Sequence, residues 1–179
     1  MNKLIMSLLI LCSLVFAQDF DRKEFGGWKE LSYGCSTRNY ILAKYSLVKV
    51  TCQDYKKGMW VDFYSGDTIK SYKNMDIDHV VPLKDAFESG GSAWSKDQKV
   101  AYANDTLRMH LLPVSSHENR SKGDKSPDQY LPPNVNFRVE YCRAWYTEKK
   151  VYHLTVTQSE LAVLKYYLGS EYKNDLKVR

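Results

Sequence analysis

Three short stretches of this chain carry side chains whose types and spacing could do chemistry together. Asp76-Ile77-Asp78-His79-Val80-Val81-Pro82-Leu83 sets an Asp-His pair among apolar residues and closes on a proline that stops strand pairing. That predicts a strand whose end presents an imidazole. Ala103-Asn104-Asp105-Thr106 is a polar turn leading into an apolar run, Met109 to Val114. Asn119-Arg120-Ser121-Lys122-Gly123-Asp124-Lys125 is a cationic run broken by a glycine, and its only neutral metal-capable side chain is the amide of Asn119. A base, hard oxygen ligands and cations for a phosphate are the parts of metal-assisted phosphodiester hydrolysis. Neutral imidazole can deprotonate water near pH 7, and a hard cation neutralises the charge on the departing oxygen. Successive strand side chains point to opposite faces, so Asp78 and His79 can serve one phosphate only where the strand ends or twists sharply.

The remaining pattern describes what must hold these stretches in place. Gln18 to Tyr33 is polar and aromatic and reads as a short helix or arm packed by Phe20, Phe25 and Trp28. Thr37 to Tyr45 has helical spacing, Leu47 to Cys52 alternates like a strand, and Trp60 to Tyr64 followed by Ser65-Gly66-Asp67 reads as a strand and turn. Between the two strands of the site, Lys84 to Glu88 suits a turn or two of helix. Ser95 to Ala103 opens on a capping serine and suits a second helix. Ser115 or Ser116 can cap a short helix bearing His117, Glu118 and Asn119. Val135, Val139, Cys142 and Tyr146 recur at helical spacing and predict a core-facing helix. Thr157-Gln158-Ser159-Glu160 is a capping box before a last helix that buries Leu161, Leu164 and Leu168. No repeat, linker or low-complexity tract divides the chain, so residues 18–179 are expected to form a single domain.

Residues 1–17 hold Lys3, an apolar run from Leu4 to Phe16 and Ala17, which is the pattern of a secretory signal peptide cleaved after Ala17. The run is too short for a membrane span, and Leu11 before Cys12 is too bulky for a lipoprotein-type anchor. The expectation is a secreted or periplasmic monomer with no stable membrane association after cleavage. The formal charge of +5 drops by one with Lys3, a mild excess that favours a polyanionic partner only weakly. Cys35, Cys52 and Cys142 remain, too far apart for a structural zinc site. An odd count in an exported chain allows one bridge. Cys35 with Cys52 is the expected pair, closing a loop worth about 3 kcal/mol and leaving Cys142 buried and reduced.

The central stretch resembles the secreted HNH endonucleases of the family that includes the C-terminal domain of GmrSD-type restriction enzymes. The same Asp-x-Asp-His-x-x-Pro and Asn-Arg-x-Lys logic occurs in the HNH domain of CRISPR effector nucleases. Gly34-Cys35-Ser36-Thr37-Arg38-Asn39, Tyr64-Ser65-Gly66-Asp67 and the segment around Cys142 are also similar to that family, although a late cysteine to partner Cys142 is missing. The resemblance implies an α+β fold with a ββα-metal core of the HNH (His-Me finger) type, added N-terminal β/α elements and C-terminal helices. It further implies a Mg²⁺ or Mn²⁺ cofactor and DNA or RNA as substrate. His79 would be the general base, and Asn104 would bond backbone and keep His79 in place. Asp78 and Asn119 would hold the metal, Arg120, Lys122 and Lys125 would contact phosphate, and Asp76 and His117 are further candidates.

Each residue taken alone has a plainer explanation. A lone buried histidine is usually a structural one, which is the reading for His110 and His153; Asn104-Asp105 is an ordinary turn, and a cationic run is usually a solvated face. The combination at these spacings favours chemistry. The competing reading is a secreted, non-enzymatic module that binds nucleic acid or another polyanion and retains a degenerate site. No His-Glu-x-x-His or Gly-x-Ser-x-Gly pattern points to a protease or esterase.

Overall fold

The chain enters through a 3-10 turn, Arg22–Phe25, whose backbone is capped by the Asp21 carboxylate. Two short antiparallel ribbons follow. β1 (Glu30–Leu31) pairs with β2 (Cys35–Ser36), and β3 (Trp60–Val61) pairs with β4 (Thr68–Ile69), with α1 (Thr37–Lys44) between the ribbons. β5 (Met75–His79) then leads through α2 (Leu83–Glu88) and α3 (Lys96–Ala103) to β6 (Leu111–Ser115), and α4 (Ser116–Lys122) follows directly. α5 (Arg138–Val151) and α6 (Gln158–Leu168) complete an α+β fold. This computed structural model describes residues 19–31, 34–173 and 175–179; the expected signal peptide, its cleavage after Ala17 and Cys12 lie outside the described residues.

Local sequence sets most helix starts. Ser36, Ser95, Ser115 and Thr157 each accept a hydrogen bond from a first-turn amide, and Ser95-Gln98 and Thr157-Glu160 form reciprocal capping boxes. β5 and β6 run antiparallel with Asp76 opposite Val114, Asp78 opposite Leu112 and His79 opposite Leu111. Directly opposed residues share a face. Met75, Ile77 and Leu111 therefore pack with Ile41, Leu42 and Trp60 on one side of the ribbon. Leu112 and Val114 join the larger core of Tyr64, Tyr102, Tyr141 and Trp145 on the other. The ribbon with α4 behind it is the ββα unit, and α2 and α3 are inserted between its strands.

Two expected elements differ. Leu47 to Cys52 is not a strand: Leu47 and Val48 are exposed, and the segment is held by the Leu47 amide on the Met59 carbonyl and by the Cys35–Cys52 disulfide. Its alternation lacks a partner strand, and a lone ribbon edge has nothing to bury it. The helix expected from Val135 begins at Arg138, after a 3-10 turn, Val135–Phe137, and Val135 and Val139 are 63% and 38% exposed. Tyr141 and Trp145 bring much more apolar area than two valines, so the helix turns that stripe to the core. Cys142 is buried and free, as expected. Beneath α5, the Lys149 ammonium meets the Asp85 and Glu160 carboxylates in the interior, tying α2, α5 and α6 together. Among the described residues, no helix is long and apolar enough to cross a membrane.

Candidate active site

β5 ends at His79 and the chain bends at Val80 and Val81, so the alternation of the strand lapses at this point. His79 Nε2 lies 2.9 Å from the carbonyl oxygen of Ala103 at the end of α3. A carbonyl can only accept, so Nε2 carries the proton and the neutral ring keeps its lone pair on Nδ1. The indole of Trp28 stacks on the imidazole, centroids 5.6 Å apart and planes within 8°, and the Tyr102 ring lies nearly parallel at 6.3 Å. His110 meets the ring edge-on at 5.5 Å. Its own two nitrogens contact Glu148 Oε2 at 2.9 Å and the Tyr102 carbonyl at 2.7 Å. Burial pushes the His79 pKa well below the ordinary imidazole value, with His110 adding to the effect. The ring is thus neutral at pH 7, with one nitrogen anchored and the other free to accept.

Among the described residues Asn104 makes no hydrogen bond to His79; the carbonyl that anchors the imidazole belongs to its neighbour, Ala103. The Asn104 amide bonds backbone instead. Oδ1 accepts from the Lys29 amide and from Thr37 Oγ1, both at 2.8 Å, while Nδ2 donates to the carbonyls of Gly27 and Val100 at 3.1 and 3.0 Å. Gly27 and Lys29 flank Trp28, so this one side chain fastens the segment carrying the stacked indole to the end of the helix carrying the Ala103 carbonyl. Sequence reasoning gave Trp28 a packing role only. A tryptophan between polar residues in an arm has no periodicity that would mark it.

α4 lays Ser116, Asn119 and Lys122, one turn apart, along the carboxylate face of β5. Ser116 Oγ donates to Asp76 Oδ1 and Asn119 Nδ2 donates to Asp76 Oδ2, each at 3.0 Å. Asp76 therefore decides which end of the Asn119 amide faces away, and it is Oδ1. Lys122 Nζ donates to Asp78 Oδ1 at 3.0 Å and to the His79 carbonyl at 2.9 Å, while Tyr64 OH donates to Asp78 Oδ2 at 2.6 Å. Lys122 is wholly buried. This corrects the expectation that it meets phosphate: Asp78 and the strand end sit over α4, and the ammonium is drawn inward to satisfy them. Burial raises the Asp78 pKa, against the opposing pull of Lys122 and Tyr64. Arg120 and Lys125 remain exposed, Lys125 bonding the Ser121 carbonyl. The His117 side chain is 83% exposed and, among the described residues, pairs only with Glu118.

Arg22, Asp78, His79, Asn119, Arg120 and Asp124 are among the residues that line one cleft of about 340 Å³. A smaller cleft of about 130 Å³, lined by Arg22, Trp28 and Ala103 among others, shares His79 with it. Among the described residues, no three His, Cys, Asp or Glu side chains converge as a metal cage. The donors suit a hard divalent ion that keeps most of its waters and takes one or two protein oxygens together with phosphate. Asn119 Oδ1 accepts no hydrogen bond among the described residues, whereas both Asp78 oxygens already meet the Lys122 ammonium and Oδ2 also meets the Tyr64 hydroxyl. The cleft offers a nitrogen- or thiolate-seeking metal only one imidazole nitrogen, His79 Nδ1, among the described residues.

The sequence profile of the GmrSD restriction endonucleases, C-terminal domain, matches residues 27–165. A protein of Arthroderma benhamiae, described as an uncharacterized secreted protein, is 34% identical over 154 residues, which span 84% of this chain and 75% of that one. No solved structure matches the chain.

Proposed function

Because the chain belongs to the nuclease-related family of GmrSD restriction endonuclease C-terminal domains, we propose that it is an exported, metal-dependent endonuclease that hydrolyses DNA with low sequence specificity. The observation that carries this reading is the His79 ring. Its Nε2–H is pinned to Ala103 and its Nδ1 is open, in the cleft that also holds the free Oδ1 of Asn119. Nδ1 takes the proton of an attacking water. Trp28 and Tyr102 keep the ring in one plane and limit its hydration. Asn119 and Asp78 would hold Mg²⁺ or Mn²⁺, which supplies charge neutralisation at the phosphate and at the departing oxygen. Arg120, which lines the cleft, and Lys125, which follows its lining residue Asp124, are exposed cations suited to the flanking backbone. Phosphate contacts carry no sequence information, which supports low specificity.

Supercoiled plasmid incubated with Mg²⁺ or Mn²⁺, with and without chelator, tests the reading: nicking that chelator abolishes is expected. One observation favours the alternative of a polyanion-binding module with a degenerate site, namely the Lys122 ammonium already seated on Asp78. Plasmid that is retarded in a gel yet intact under every metal would select that alternative.

A further inference from the structure

We propose that Arg22 binds the substrate phosphate in the His79 cleft, presented by an N-terminal arm that the rest of the chain clamps in place. The inference rests on the nuclease reading above. Arg22 lines both clefts, which meet at His79. With Lys122 sequestered under Asp78, Arg22 and Arg120 are the basic side chains left to line the larger one. Among the described residues, the Arg22 guanidinium makes no ion pair or hydrogen bond, and the residue is exposed. A planar guanidinium suits a phosphodiester because two of its N–H groups can meet two phosphate oxygens at once.

A solvated arginine on a loose arm would mean little, but this arm is fixed on both sides of Arg22. Asp21 caps the turn through the Lys23 amide, and Lys96 Nζ donates to the Lys23 carbonyl at 2.7 Å. Glu24 pairs with Lys99, whose side chain is almost buried. Phe25 is fully buried against Tyr102, the tyrosine that lies parallel to His79. Anchoring of this kind holds an arginine at a set distance from the base. Arg22 also lies outside residues 27–165, so the family profile does not supply it.

Arg22→Ala, Arg22→Lys and Lys23→Ala decide the matter, the last removing an equal charge from the same arm at a position that lines neither cleft. Cleavage kinetics are measured on a labelled duplex. Duplex binding is measured against salt in the His79→Ala background. Arg22→Ala is expected to lose about 10- to 100-fold in kcat/KM, the value of a charge-assisted hydrogen bond to phosphate, and about one unit of the salt slope. Arg22→Lys should recover part of the loss, and Lys23→Ala should track the parent. An active parent with Arg22→Ala unchanged in both measurements overturns the inference alone. So does Lys23→Ala losing as much as Arg22→Ala, since bulk charge would then explain both. A parent inert under every metal overturns the nuclease reading and this inference with it.

Discussion

Lys122 Nζ donates to Asp78 Oδ1 at 3.0 Å, with the ammonium wholly buried and the carboxylate nearly so. Each charge is tolerable inside only because the other is there. Lys122→Met should therefore cost about 3 to 5 kcal/mol of stability, the usual consequence of leaving one member of a buried pair alone. Urea denaturation measures this. The salt dependence of DNA binding should stay at the parental value, since this amine is buried against Asp78 and the His79 carbonyl. Asp78→Ala strands the ammonium in the same way, so its activity must be read beside its stability. A Lys122→Met protein with parental stability and a shallower salt slope would return the lysine to the phosphate.

The base and the metal-holding residues should fail differently. His79→Ala removes activation of the water and should abolish nearly all turnover, while metal binding, measured by calorimetry with an uncleaved analogue present, survives. Asn119→Ala removes the one free amide oxygen in the cleft, so it should weaken metal binding and regain part of its activity in excess metal. Loss of metal confined to His79→Ala would invert these roles.

The neutral state of His79 has consequences for pH. Burial lowers its pKa well below 6.5, so the acid limb of kcat/KM should fall below the ordinary histidine range. For stability, the unfolded chain takes up a proton near 6.5 whereas the folded chain resists until a lower pH. The ring's contribution is thus complete above 6.5 and is lost as pH falls from there toward the folded value. Urea midpoints between about pH 7 and pH 5 should decline in the parent and decline less in His79→Ala. Equal slopes in the two proteins would remove the buried neutral imidazole as the cause.

Trp28 touches the base without being able to react, which makes it a positioning residue. Trp28→Ala uncovers one side of the imidazole, so the His79 pKa, read by NMR, should rise toward 6.5 and kcat should fall with little change in KM. Trp28→Phe retains a ring to stack and should restore part of both. If Trp28→Ala leaves the His79 titration where it was, the stacking is incidental to the chemistry.

Local pattern alone determined a good deal of this protein. The strand ending at His79, the serine and threonine caps of α3, α4 and α6, the order strand, insertion, strand, helix, and the Cys35–Cys52 bridge are all legible in the sequence. Each depends on neighbours a few residues away or, for the bridge, on very few choices. Tertiary structure alone decided which charges are free to act. Lys122 and Arg120 are two residues apart in one cationic run, yet the helical turn points the first at Asp78, 44 residues earlier, and leaves the second in solvent. Trp28 reaches His79, and Asn104 fastens Gly27 and Lys29 from 77 and 75 residues away. An arginine in the first described turn comes to share a cleft with Asn119. Spacing along the chain reports which face of an element a side chain takes. Whether a charge on that face meets water or a buried partner depends on what the fold packs against it, and that partner can lie anywhere in the chain.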